Sequence, residues 1–148
     1  VRRTITRDPA LGGEDYDAVT PAKFDEMVDQ GAFCIHWGAH DLHYGIPSQV
    51  LRDVAGGAEM LANFSRSALL QADAIFPALT VLNITASDAV LAQRLRGRKR
   101  ECDTQIAKRL AQAAKPLPTG IDVITLCNDG PLRRTVDIAV KALHPVRA

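Results

Sequence analysis

AEMLANFSRSALLQADAIFPALTVLNI, residues 58–84, decides the fold. Two largely apolar runs, 58–64 and 78–84, flank RSALLQADAIF, a helix-forming stretch that stops before Pro77. The residue preceding a proline is pushed out of the helical region, which fixes that end. A third apolar run, IDVITLC (121–127), comes after further helical stretches. Continuous apolar strands separated by helices mark a parallel sheet covered on both faces. These runs predict an α/β domain with strands at 58–64, 78–84 and 121–127. Its ligand contacts are expected at the strand ends and in the loops that follow them.

Outward from this centre, the punctuation is clear. TPAKFDEMVDQG (20–31) predicts a helix with Thr20 as its cap, Pro21 in its first turn and Gly31 after its last; Phe24, Met27 and Val28 share one face. Arg2–Thr6 is short and β-prone. AFCIHW (32–37), a polar turn and HYGIP suggest a small hairpin-like subregion. PSQVLRDVAGG predicts a short helix ended by Gly56 and Gly57. Ser87 caps a helix that runs into a basic segment, and Asp103 caps the next one. GPLRRTVDIAVKAL predicts a closing helix with Leu132, Val136, Val140 and Leu143 along one face.

Composition narrows the class. With 148 residues, 47% apolar and 24% charged, the chain is expected to fold as one globular domain. No apolar run approaches the roughly 20 residues a bilayer requires, and VRRTITRDP lacks the apolar core of a signal peptide. A net charge of +1 gives no bulk attraction to nucleic acid. Cys34, Cys102 and Cys127 are odd in number and far apart, with no C-x-x-C, which fits a cytoplasmic protein.

Several loops are suited to anions. TRDPALGGEDY offers Arg7 as a planar fork for phosphate, with Glu14 and Tyr16 for hydroxyls or phosphate oxygens; the alternative is a surface turn. Asn63, Ser65 and Arg66 converge where an apolar run enters a helix, although Ser65 could simply cap. RLRGRKR places five cations in seven residues, Arg94 to Arg100, with Arg109 on the next helix. Such arginines can stabilise charge in phosphoryl transfer, or merely complement a helix dipole. Asn128 and Asp129 follow the last apolar run and would contact a base or make a turn. His36, His40 and His43 invite a metal reading, but Gly38, Gly45 and the strand before them argue against the helix that would bring the rings together, so no metal ligand is assigned. Neither G-x-x-x-x-G-K-[ST] nor G-x-G-x-x-G occurs.

The ordered combination resembles a known family. TR, then GEDY, YG, a polar strand exit, RLRGR, IAKRL and ND are similar to the guanylate kinase superfamily over essentially the whole chain. Within it, ITRDPALGGEDYDAVT, FCIHWGAHDLHYGIP, the N-x-S-R of LANFSRSAL and CNDGPLRRTVD resemble the ribose 1,5-bisphosphate phosphokinase family. The resemblance implies a three-layer P-loop kinase fold, with a substrate-binding subregion at about 7–47 and an arginine-rich lid at about 94–109. It implies ATP and Mg²⁺ as cofactors, ribose 1,5-bisphosphate as acceptor and 5-phosphoribosyl 1-diphosphate as product, in phosphonate breakdown. Arg7, Glu14, Tyr16, Tyr44, Asn63, Ser65 and Arg66 would hold the acceptor. Arg94, Arg98 and Arg109 would serve catalysis, and Asn128 and Asp129 would lie near the adenine. Where true guanylate kinases read guanine with a glutamate, this chain has Ile35, which disfavours the alternative of a nucleoside monophosphate kinase. The family's first strand, phosphate loop and helix have no counterpart in the sequence, so a fragment of a longer protein is expected, a non-catalytic remnant being the other alternative.

Overall fold

The computed structural model describes residues 1–8, 10, 14–76, 78–97, 106–107, 110–111, 113 and 115–145. In chain order these form β1 (Arg3–Ile5), β2 (Tyr16–Ala18), α1 (Pro21–Asp29), β3 (Phe33–Ala39), β4 (Leu42–Pro47), α2 (Ser48–Ala55), α3 (Leu69–Ile75), β5 (Val81–Thr85), α4 (Asp88–Gly97), β6 (Val123–Cys127) and α5 (Leu132–Leu143). The chain divides into two units, Val1–Ala78 and Leu79–Ala148.

The first unit is built on the expected hairpin. β3 and β4 run antiparallel, with Ile35 opposite Ile46 and Trp37 opposite Tyr44. His40 and Asp41 join them with φ of 54° and 59°, the positive values that a two-residue type I′ turn demands. β1 adds antiparallel to β4, and β2 adds parallel to β1, giving the order β2-β1-β4-β3. Ile5, Ile35 and Ile46 are fully buried on this sheet. A Cβ on Gly45 would stand 2.6 Å from the Phe33 ring, which stacks on Phe24 at 4.8 Å, so a glycine lets this ring lie across the strand. Phe24 is the buried member of the α1 face, while Met27 and Val28 are half-buried. Thr20 caps α1 as expected, accepting from the Lys23 N–H at 3.2 Å.

The strand expected at 58–64 is not one. These residues pair in no ladder among the described residues, and Leu61 is 73% exposed. A backbone hydrogen bond does reach the segment, from the Val1 ammonium to the Leu61 carbonyl. Apolar content gives a segment reason to be buried, but a strand also needs a neighbour along its length. Ala, Glu and Asn are poor β-formers, so this run has little intrinsic preference to stay extended without one. The chain then enters α3 through a 3₁₀ turn at Arg66–Ala68, and Ser65 makes no capping bond there.

In the second unit β5 and β6 pair in parallel, Val81 opposite Val123 through Thr85 opposite Cys127. Both lie within two or three residues of the positions predicted from the sequence. The described residues of 106–113 are helical. α5 corrects the expected face: Leu132, Val136 and Val140 are exposed, Leu132 by 68%, and Thr135 is the buried residue. The helix packs beside β6, where Thr135 Oγ1 donates to Asn128 Oδ1 at 2.9 Å, and Leu143 of the expected stripe is half-buried. No helix is long and apolar enough to cross a membrane among the described residues.

Candidate functional site

The acceptor-side residues named from the sequence all belong to the first unit, and most of them meet at one carboxylate. Glu14 Oε2 accepts from Arg3 Nε at 3.1 Å and from Asn63 Nδ2 at 3.4 Å, while Oε1 takes the second arm of the Arg3 fork. Arg7 Nη2 stands 3.7 Å from the same Oε1. Burial opposes ionisation of Glu14, but the hydrogen bond and charge of Arg3, the Asn63 amide and the Arg7 charge together hold its carboxyl below the usual value. Glu14 is therefore an anion bridging two guanidiniums.

Each guanidinium also rests on a tyrosine. Arg7 Cζ lies 4.4 Å from the Tyr16 ring centre, and the Tyr16 hydroxyl donates to the Asp8 carbonyl at 2.6 Å. Arg3 Cζ lies 5.0 Å from Tyr44 and 5.8 Å from Trp37. A cation over an aromatic face is stabilised by the ring quadrupole, by up to about 2 kcal/mol when desolvated. The Trp37 ring stacks between neighbours, 5.4 Å from Tyr44 and 5.4 Å from Phe64. Its Nε1–H donates to Ser65 Oγ at 2.8 Å, so Ser65 holds the indole in place of capping a helix. Arg66 begins the following 3₁₀ turn and is half-buried.

The structure thus joins Arg7, Glu14, Tyr16, Tyr44, Asn63 and Ser65 into one network and adds two residues that sequence reasoning missed, Arg3 and Trp37. All three residues of β1 are buried, so no alternation singles out Arg3. The available signal was an arginine in a β-prone run, just ahead of a loop with an acid. Ile35 lies on the same face of β3 as Trp37, fully buried, where it offers no acceptor to a guanine edge. His36, His40 and His43 are exposed on the hairpin. Among the described residues no group of three His, Cys, Asp or Glu side chains is placed to hold a metal ion.

In the second unit, Asn128 and Asp129 both serve the turn after β6. Asp129 Oδ1 accepts from the Ser87 backbone N–H at 2.7 Å, the Asn128 N–H donates to the Thr85 carbonyl at 2.7 Å, and its amide oxygen takes the Thr135 hydroxyl. The Ser87 N–H is the main reason the Asp129 carboxyl sits below its usual value, with the Arg94 charge a lesser one. Cys127, Asp129, Gly130, Arg134, Thr135 and Ile138 line a cavity of about 240 Å³ beside this turn. Arg94 is exposed near the end of α4. Arg98, Lys99 and Arg100 of the basic segment, Arg109 and the Gly12–Gly13 pair lie outside the described residues.

Comparison with known proteins gives this geometry a family. No family model matches the chain. It is 41% identical over 149 aligned positions to the ribose 1,5-bisphosphate phosphokinase PhnN of a Ruegeria species, covering 100% of this chain and 78% of that one. It is 43% identical over 129 positions to the protein of the same name from Agrobacterium fabrum, covering 87% of this chain and 70% of that one. A bifunctional ribose 1,5-bisphosphokinase-thymidine phosphorylase of Azorhizobium caulinodans is 42% identical over 142 positions, but this chain spans only 20% of it. Among solved structures, the guanylate kinase of Anaplasma phagocytophilum superposes with a TM-score of 0.69 over 99% of this chain and 76% of that one, at 16% identity. The last likeness carries the fold, which is that of a guanylate kinase, and the first two carry the conclusion that the chain belongs to the ribose 1,5-bisphosphate phosphokinase family.

Proposed function

We propose that this protein transfers the γ-phosphoryl group of ATP to the 1-phosphate of ribose 1,5-bisphosphate. A bond forms between the γ-phosphorus and an oxygen of that phosphate, the β–γ bridge of ATP breaks, and ADP and 5-phosphoribosyl 1-diphosphate result. The place in metabolism would be phosphonate breakdown, in the cytoplasm. The single observation that carries the reading is the Arg3–Glu14–Arg7 cluster on its two tyrosines. Two cations around one acid leave a net positive patch for a polyanion, and the buried Ile35 on the same sheet gives a purine edge nothing to bond.

Arg7, assisted by Tyr16, would take an acceptor phosphate, since a planar fork suits phosphate oxygens. Glu14, Asn63, Ser65, Tyr44 and Arg66 would shape the remainder of the acceptor site and meet its hydroxyls. Arg94, Arg98 and Arg109 would supply charge to the transferred group, because phosphoryl transfer is catalysed mainly by positioning and electrostatic stabilisation. For ATP, the cavity beside Asn128 and Asp129 is smaller than the roughly 300–1,000 Å³ of sites that enclose a whole ligand, so it would take the base alone. Arg134 would flank that base. Mg²⁺, when bound, would neutralise charge on the phosphates; among the described residues no three His, Cys, Asp or Glu side chains are grouped to hold it.

The test is a coupled ADP-release assay on the full-length protein with ribose 1,5-bisphosphate and, separately, GMP. Turnover with the sugar bisphosphate and little or none with GMP is expected. Phosphorylation of GMP in preference would overturn the assignment, and binding of the sugar without turnover would make the protein a binding domain.

A further inference from the structure

In the reading above Arg3 lends only its charge to the cluster, yet its side chain is held by several partners at once. Its side chain is 8% exposed. Taking a guanidinium out of water is costly unless a counter-ion and hydrogen bonds compensate for it. Both are present: the two-armed contact with Glu14, a 2.9 Å bond from Nη1 to the Asn63 carbonyl, and the faces of Tyr44 and Trp37. A buried ion pair needed for stability alone is often replaceable as a whole by apolar side chains, whereas removing one partner strands the charge of the other. What sets Arg3 apart is its partner, since the Oε1 of Glu14 that it grips is also the oxygen nearest Arg7.

We infer that Arg3 is a positioning residue: it anchors Glu14 as a bridge between two guanidiniums and thereby sets how Arg7 meets an acceptor phosphate. The inference rests on the acceptor site proposed above and deepens it. With Arg3 in place, Glu14 is largely neutralised from behind and Arg7 is held at the Tyr16 face. Without Arg3, the full charge of Glu14 would be balanced chiefly by Arg7. The guanidinium would then be drawn onto the carboxylate, which competes directly with an incoming phosphate. Lysine cannot restore the arrangement, because one ammonium cannot bond both oxygens of Glu14 and the Asn63 carbonyl in the same planar geometry.

The chain carries a single tryptophan, and Trp37 lies against Arg3, so its fluorescence reports on this site. Ribose 1,5-bisphosphate is titrated into the wild-type full-length protein and into Arg3→Lys, Arg3→Met, Glu14→Gln and the Arg3→Met/Glu14→Gln pair, with calorimetry as a second measure and melting curves to correct for the folded fraction. Coupled neighbours interact by about 0.5–3 kcal/mol, so Arg3→Met is expected to weaken acceptor binding roughly tenfold. Arg3→Lys falls between, and ATP binding is unchanged. The decisive arm is the pair: Arg3→Met should cost much less affinity in the Glu14→Gln background than in wild type, a coupling that a merely structural arginine would show in the melting curves alone. Wild-type affinity in Arg3→Met, or an equal fold-loss from Arg3→Met in the Glu14→Gln background and in wild type, overturns the inference. The same titrations with GMP and inorganic phosphate separate the two ideas. If wild type prefers GMP, the acceptor assignment fails and the order of the variants with GMP still decides the role of Arg3; if no phosphorylated ligand binds, both fall.

Discussion

The two units invest their apolar residues differently. In the first, four paired strands bury Ile5, Ile35 and Ile46 completely, with Trp37 and Tyr44 on the face that Ile35 and Ile46 share. In the second, β5 and β6 make a two-stranded sheet on which Ile84 is 55% exposed, and the stripe of α5 faces outward. The same kinds of residue therefore carry different energies in the two halves. A site that must hold two guanidiniums and a carboxylate in register is built on the half in which β1 and β4, the strands of Arg3 and Tyr44, are paired on both sides, as positional precision requires.

The largest expected effect tests this contrast directly. Ile35→Ala removes a fully buried side chain and should destabilise the first unit by about 2–5 kcal/mol. Leu132→Ala removes an exposed one and should change stability by no more than about 0.5 kcal/mol. Urea unfolding of both variants, followed by Trp37 fluorescence and far-ultraviolet circular dichroism, measures them together. Equal losses would mean that Leu132 is covered in solution and that the contrast between the units is not real.

A smaller effect concerns charge. The folded Glu14 carboxyl lies below its ordinary value of 4.5. The unfolded chain therefore takes up a proton first as the pH falls, so the group stabilises the fold fully above the ordinary value and loses that contribution as the pH drops through the folded value. Stability measured from pH 7 down to 3 should fall less steeply for Glu14→Gln than for wild type, the variant being the weaker one at pH 7. Asp129, its carboxyl also lowered but in an exposed turn, should give a much shallower difference when changed to Asn. Parallel pH profiles for wild type and Glu14→Gln would show that Arg3 and Arg7 do not depend on that carboxylate.

What the sequence disclosed follows the range of the interactions involved. The cap at Thr20, the hairpin between 32 and 47 and the helix ending at Gly56 are local, and their signals lie within a few residues. The run 58–64 carried the composition of a buried strand, but pairing depends on a neighbour distant in sequence, and its side chains could not reveal one. The exposure of Leu132, Val136 and Val140 on α5 was not legible either, because helical periodicity says which side chains share a face and not which face is covered. The residues proposed to hold the acceptor were legible one by one as polar groups, most of them in loops. Their assembly was not, because its anchor is an arginine inside a strand, a residue type that seldom belongs in a core.

The smallest expected effect lies at the hairpin tip that presents Tyr44 and Trp37. His40 and Asp41 both have positive φ, a conformation that L-residues adopt at a cost, though Asp tolerates it better than most. The second position of such a turn favours glycine. Asp41→Gly relieves that cost but also loosens the unfolded chain, which offsets roughly 0.5–1 kcal/mol of the gain. A net stabilisation of a few tenths of a kcal/mol, up to about 0.5, is the expected balance. Asp41→Ala keeps the strain without the carboxylate that eases it, so it should destabilise by a similar amount or more. The pair separates two causes: if both variants lose stability alike, the carboxylate of Asp41 holds the turn, and if only the alanine does, the backbone conformation decides.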